Sequence, residues 1–308
     1  MHLHPDAEAA GARLIAFDTL GSTNAEALSR ARAGEHGPLW VTAARQTAGR
    51  GRRGNVWTSE PGNLHATLLL SDAAPAVHLP ELCFVVALAV RDAVASFRIP
   101  PLEGGGIGGL QPPSSKTPMR SIGYGEAPGR GHLSEMTLTR HASHVDLPLA
   151  GGGEERLKLK WPNDLLLDGA KLAGILIEAE SAGGLTAVAA GIGVNCAHHP
   201  DNLTYPATSL AAGGAAIAPE ALLRALSHTT VSRLAQWDRG AGFPAIRAEW
   251  LKHAANIGGD IHVRLPDREL TGRFETLDRM GRLMLRLPAG NLEAITVGEV
   301  SAPARVQP

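Results

Sequence analysis

Residues 46–55 read QTAGRGRRGN, with three arginines and three glycines packed into the six residues from Gly49 to Gly54. Arginine supplies a rigid fork of donors, and glycine lets backbone N–H groups approach an anion closely. Such a loop can hold a phosphate or a carboxylate through Arg50 and Arg52, while Gly49, Gly51 and Gly54 keep the chain thin. It lacks the lysine-serine ending of the common nucleotide loop. The same composition also fits a solvated basic turn, so the loop does not decide the matter alone.

Three further stretches could do chemistry. KWPND (residues 160–164) puts Lys160 on a strand beside a rigid proline turn, which presents an amine at a fixed point. Lys158 shares its side of that strand, and Leu159 and Trp161 take the other. Two lysines can equally protect an edge strand. Asn163 and Asp164 suit a hydrogen-bonded corner or a metal-bound phosphate. GAKLAGILIE (169–178) opens with Lys171 on a strand whose Ala173 and Gly174 are too small to fill a core. They leave room either for close packing or for a flat ligand. GIGVN (191–195) is a similar glycine-bearing strand end with a polar tip, Asn195.

These residues must be positioned by regular elements. RLIAFDTL (13–20) reads as a strand, followed by a helix over STNAEALSRARAG. Ser22 or Thr23 can cap that helix, Glu26 stands where a capping-box partner of Thr23 belongs, and Gly34 follows its end. PLWVTAARQ and NLHATLLLS (63–71) are strands, and residues 79–97 form a long helix too broadly apolar to be exposed. From 156 to 180 the pattern is strand, turn, strand, Asp168-Gly169 hairpin, strand, and TAVAAGIGVNC continues it. A helical stretch covers about 219–255. The last fifty residues alternate, with turns at Pro266-Asp267, Met280-Gly281 and Ala289-Gly290, as in a small antiparallel barrel. Between them, residues 100–156 are rich in glycine, proline and serine, and are expected to be a largely disordered insertion in which MTLTRHASHVDLPL could pair weakly.

The 308 residues carry a net charge of −1, so no global field draws the chain to nucleic acid or membrane. Two cysteines in no CxxC pattern argue against a disulfide framework or a cysteine-rich zinc site. The histidines show no HExxH and no clear ligand pair, and the adjacent His198 and His199 read as loop residues. The start has no apolar signal core, and no window approaches the roughly 20 apolar residues of a membrane span. A soluble cytoplasmic protein with no resident metal is expected.

Taken in order, STN, QxxGRGRRGxxW, KWPND, KLAGILxE and GIGVN resemble the motifs of biotin protein ligases at nearly that family's spacing. The resemblance runs from about Leu14 to Ser301, and the 100–156 insertion has no counterpart in the family's minimal pattern. It implies an α/β (α+β) fold: a mixed sheet flanked by helices, of the class II synthetase-like biotin/lipoate ligase type, over 13–255, with an SH3-like β domain over 257–302. It implies ATP and Mg2+, with biotin as substrate, and two steps: formation of biotinyl-5'-AMP, then transfer to a lysine of a biotin carboxyl carrier domain of acetyl-CoA carboxylase or a related carboxylase. Carried over by motif, Ser22, Thr23, Asn24, Gln46, Leu172 and Gly174 would line the biotin site, with Ala173, Ile175, Gly191 and Gly193 beside it. Arg50, Gly51 and Arg52 would wrap the carboxylate and phosphate, and Lys160 would sit with Arg50 at the reacting atoms. Arg53, Trp57, Asn163, Lys171 and Asn195 would complete the adenylate side. The catalytic pattern starts close to Met1, so no repressor function is expected; a homodimer stays open. The rivals are a lipoate-protein ligase or octanoyltransferase, which would use a cysteine or lysine and no arginine loop, and a nucleic-acid-binding module, which the net charge disfavours.

Overall fold

The computed structural model describes residues 1–100, 156–182, 184–201 and 203–301. The glycine-rich segment and its MTLTRHASHVDLPL strand pair fall outside the described residues.

Strand β1 (Arg13–Leu20) leads into helix α2 (Thr23–Arg32), which is preceded in the chain by a five-residue helix α1 (Pro5–Ala9). Helix α1 was not anticipated; Pro5 stands in its first turn and His4 caps it. Ser22, extended at φ −155°, caps α2 and its Oγ accepts from Ala25 N. The capping box expected at Thr23 and Glu26 does not form. Thr23 already lies inside the helix, and Glu26 instead accepts from Arg30 one turn on, at 2.8 Å. The helix ends as expected, with Gly34 at φ 89°.

Strands β2 (Leu39–Gln46) and β3 (Leu64–Ser71) follow, then helix α3 (Leu82–Ala95). The expected start of α3 at residue 79 gives way to a 3-10 turn over Ala76–Glu81, which contains Pro80. Strands β4 (Leu157–Lys160), β5 (Asp164–Leu167), β6 (Ala170–Ala182) and β7 (Leu185–Val194) complete a seven-stranded sheet in the order β1-β2-β3-β7-β6-β5-β4. Only β1 and β2 pair in parallel. Asp168 and Gly169 both take positive φ, the two-residue turn that an Asp-Gly pair favours, and fix the β5–β6 hairpin.

Helices cover both faces of this sheet. On one side α2 buries Ala27, Leu28 and Ala31 against Leu39, Val41, Leu69 and Ala189. On the other, α3 is apolar nearly all round and packs under α4 (Pro219–Trp237) and α5 (Phe243–Lys252). The helical stretch expected over about 219–255 is divided into these two helices. Asp238 and Arg239 adopt left-handed φ, and a side chain at Gly242 would run into the carbonyl of Gln236. Strands β8 (Asp260–Arg264), β9 (Glu269–Leu277), β10 (Leu283–Arg286), β11 (Leu292–Ile295) and β12 (Glu299–Ser301) form a separate five-stranded antiparallel sheet, order β11-β10-β9-β8-β12. Its alternation buries Ile261, Val263, Phe274, Leu283 and Leu285. It is tied back by Trp161 Nε1 donating to Gly281 O at 3.0 Å and by Arg247 Nε donating to Leu277 O at 2.8 Å.

The two sides of the glycine-rich segment meet. Arg156, just before β4, donates to Pro100 O and pairs with Asp168 in the β5–β6 turn, where the carboxylate holds the guanidinium's pKa above its ordinary value. Replacing residues 101–155 by a few glycines and serines is therefore expected to leave melting temperature and adenylation roughly unchanged, since loop length enters stability only logarithmically. Arg156 must stay. Normal adenylation with slower transfer would instead assign the segment to acceptor contact, and an unfolded product would contradict both readings.

Candidate functional site

Strand β2 ends at Gln46 and runs into the arginine-glycine loop, while α2 starts at Thr23 beside it. The strand end and helix start are joined by hydrogen bonds. Thr23 N and Oγ1 both donate to Gln46 Oε1, at 2.8 and 3.1 Å, and Gln46 Nε2 donates to Ser59 Oγ at 2.9 Å. Behind them Thr67 Oγ1 donates to Asn24 Oδ1 at 2.6 Å and lies 2.8 Å from Thr23 Oγ1. Asn24 Nδ2 donates to Glu178 Oε2 at 2.7 Å. Each buried polar group here has its partner in the next, so the wall is rigid before any ligand arrives.

The loop itself folds back on a short pairing of Arg50 with Val56. Gly51 N donates to Asn55 O at 2.7 Å and Trp57 N to Gly49 O at 3.0 Å. Arg53 (φ 56°) and Gly54 (φ 76°) make the tight reversal. Arg50 Nη2 lies 3.3 Å from Glu178 Oε1, with half of its side chain exposed. Arg52 Nη1 donates to Asn163 Oδ1 at 3.3 Å, and Asn163 Nδ2 in turn donates to Ile175 O at 2.7 Å.

Trp57 then lies across β6 and β7. A side chain at Gly193 would collide with its indole, and one at Gly174 would come within 3.1 Å of it. These glycines are therefore small because a flat group lies on them. Lys171 Nζ is 5.7 Å from the Trp57 ring and 5.4 Å from that of Tyr205, and Lys160 Nζ is 5.9 Å from Tyr205. Between the lysines sits Asp164: Lys171 Nζ is 2.7 Å from Oδ1 and Lys160 Nζ 3.6 Å from Oδ2. The shorter contact is charge to charge rather than a well-directed hydrogen bond.

Together these groups line one cleft of about 1030 Å3, counting its solvent-open part. Ser22, Thr23, Asn24, Gln46, Arg50, Gly51, Arg52, Arg53, Trp57, Lys160, Asn163, Lys171 and Gly174 all face it, with Ile175, Gly191 and Gly193. Leu172 and Asn195 do not. Leu172 is fully buried in the core, and Asn195 donates to Thr208 O at 3.0 Å behind the sheet. Strand alternation turns Leu172 away from the face that Lys171 occupies. Sequence reasoning missed Glu178, Tyr205 and the rim residues Gly298–Val300 from the second sheet. The glutamate that closes the KLAGILxE motif was a signal for Glu178; Tyr205 comes from an irregular loop and carried none.

Five cations thus line the cleft, with Asp164 as its buried, ion-paired carboxylate, Glu299 on its rim, and Glu178 paired to Arg50 beside it. The arrangement suits anions brought in from outside. Replacing Asp164 with asparagine would leave two ammonium groups facing each other across a mostly buried gap. We expect a loss of about 1–3 kcal/mol, read by urea unfolding. An unchanged or higher midpoint would mean that the lysines do not depend on this counter-charge.

Neither cysteine is available as a nucleophile. Cys83 donates to Pro162 O at 3.2 Å, and burial pushes its thiol pKa up to about 12; burial does the same to Cys196, also to about 12. Thiols so shifted stay protonated near neutrality and are inert.

Sheet order, cationic cleft and second sheet together define the fold of biotin protein ligases. The protein superposes on the biotin protein ligase from Aquifex aeolicus, in complex with biotin and ATP, with a TM-score of 0.62 at 20% identity, over 94% of this chain and 97% of that one. The sequence model of the biotin/lipoate A/B protein ligase family matches residues 17–195, and that of the biotin protein ligase C-terminal domain matches 257–302. The chain belongs to the biotin/lipoate A/B protein ligase family. It is 37% identical to the biotin–[acetyl-CoA-carboxylase] ligase of Paracoccus denitrificans, over 91% of this chain and 96% of the relative. It is 30% identical to the enzyme of that name from Mycobacterium tuberculosis, over 91% and 85%.

Proposed function

We propose that the protein is an ATP-dependent biotin protein ligase. The observation that carries this is the meeting of Arg50, Arg52, Lys160 and Lys171 in one cleft, beside the hydrogen-bonded wall of Thr23, Asn24 and Gln46. A carboxylate and ATP repel each other, and these cations offset the repulsion. A biotin carboxylate oxygen attacks the α-phosphorus, the bond to the bridging oxygen breaks, and pyrophosphate leaves with the electron pair. In this reading Lys160 and Arg50 stabilise the charge that develops on the α-phosphate. In the second step an acceptor lysine amine attacks the mixed anhydride, loses a proton, and AMP leaves.

Ser22, Thr23, Asn24, Gln46 and Gly174 form the biotin side of this reading, and Arg52, Arg53, Trp57, Asn163 and Lys171 the adenylate side. Leu172 and Asn195 support the site from behind. Asp164, the buried carboxylate of the cleft, is engaged by two lysines, and the exposed Glu299 stands alone on the rim, so the described residues of the cleft offer no carboxylate pair suited to a resident metal. Magnesium fits instead as part of the incoming nucleotide, where it would neutralise the leaving phosphates. The acceptor is a biotin carboxyl carrier domain, and the names of the relatives point to that of acetyl-CoA carboxylase. We assign catalysis to residues 13–255 and treat 257–302 as a second domain that shapes the rim. No described helix is long and apolar enough to cross a membrane.

The shielded thiols weigh against an acyl-transferase route through cysteine. Pyrophosphate exchange into ATP tests the proposal. It should depend on biotin and remain near background with lipoate or octanoate. Equal exchange with lipoate would favour the lipoate ligase reading.

A further inference from the structure

We propose that His4, Asp6 and His228 form a binding site for a divalent transition-metal ion, with zinc the ion its donors fit. One nitrogen of each histidine and one Asp6 oxygen all lie within 4.8 Å of one another. Asp6 Oδ2 is 2.8 Å from His228 Nδ1 and 3.5 Å from His4 Nδ1. Tetrahedral zinc with bonds of about 2.0–2.1 Å holds its ligand atoms roughly 3.3 Å apart. These two separations straddle that value and the third is no more than 4.8 Å, so side-chain rotations can bring the three atoms onto one ion.

The site is built on fixed backbone. His4 N donates to the buried Ser227 Oγ at 2.9 Å, and Arg224 Nη1 donates to Leu3 O at 3.1 Å. Leu3 and Ala7 are buried on either side of the ligands. The start of the chain is therefore already seated on α4 when the metal arrives, which limits the entropy lost on binding. The imidazole rings face each other with centroids 4.5 Å apart, and all three side chains keep between 31% and 56% of their surface exposed. An ion has an entry path, and water can take the fourth position.

His4 Nδ1 accepts a 3.2 Å hydrogen bond from Asp6 N. That marks the nitrogen carrying the lone pair a metal needs. The exposed amide released by coordination can bond to water. Two neutral imidazoles and one carboxylate supply a borderline N/O donor set that suits zinc, cobalt or nickel rather than magnesium or calcium. The consequence would be a metal staple joining α1 to α4, remote in role from the cationic cleft.

The test uses the full chain stripped with a chelator, at slightly alkaline pH. Cobalt is titrated while its visible bands are followed, and zinc is titrated by calorimetry and thermal melting. We expect saturation at one ion per chain with micromolar affinity, and a melting temperature raised by a few degrees. His228→Ala and, separately, Asp6→Asn should each weaken binding by more than about tenfold, the low end for loss even of an outer-shell partner. Both side chains are exposed, so neither variant endangers the fold. Absence of saturable binding, or affinity unchanged in both variants, would overturn the proposal and leave the contacts as a helix cap with an aspartate–histidine pair.

Discussion

Lys160→Ala is expected to lower biotinyl-adenylate formation by about 10²–10³-fold, the usual cost of removing one preorganised group from developing charge. The fold should survive. Asp164 keeps Lys171 at 2.7 Å when Lys160 is gone, so no buried carboxylate is stranded. The Lys160 pair is looser, at 3.6 Å, with a fifth of the side chain exposed, and its loss should cost about 1 kcal/mol or less. Lys158→Ala is the matched control. It lies on the same side of β4, half-buried, but does not line the cleft, and should adenylate normally. Single-turnover formation of the adenylate measures both variants. Near-normal rates in a folded Lys160→Ala protein would remove Lys160 from the mechanism.

Arg50→Gly is expected to let the adenylate escape rather than prevent its formation. Arg50 stands at the mouth of the loop, half-exposed, with Glu178 3.3 Å away. An exposed pair of this kind contributes at most about 1 kcal/mol to the fold, so the variant should remain folded. Toward a bound phosphate the same guanidinium supplies a charge-assisted hydrogen bond of about 2 kcal/mol, or roughly thirtyfold in retention. Faster release puts a reactive anhydride into solution, where it acylates any nearby lysine. Labelling of bystander proteins should rise while adenylate formation continues. Loss of biotin binding without stray labelling would leave Arg50 a plain binding role.

Much of this architecture was legible because the local signals were strong. Arg13–Leu20 and the Asp168-Gly169 hairpin were read directly, since periodicity and turn chemistry agree with the sheet there. The capping box failed because Gln46, from the neighbouring strand, claims both the backbone and the hydroxyl of Thr23. No local rule contains that competitor. The helical stretch over 219–255 was read without its internal boundary, which Gly240, Gly242 and Pro244 mark. Within the site, motif order singled out cations that the fold brings to one cleft, but a motif is contiguous and a strand alternates. Leu172 was therefore assigned to a face it does not share with Lys171. Tyr205, and His4 with His228, meet their partners only through the fold, and no spacing in the sequence announces them.

The central claim is tested most directly by the mass of an acceptor. A purified biotin carboxyl carrier domain is incubated with the protein, biotin, ATP and magnesium, and analysed intact and after digestion. The account predicts one biotin added to a single lysine, dependent on ATP and lost with Lys160→Ala. An unmodified carrier domain in the presence of a folded wild-type protein would contradict it, as would a carrier modified equally well without ATP.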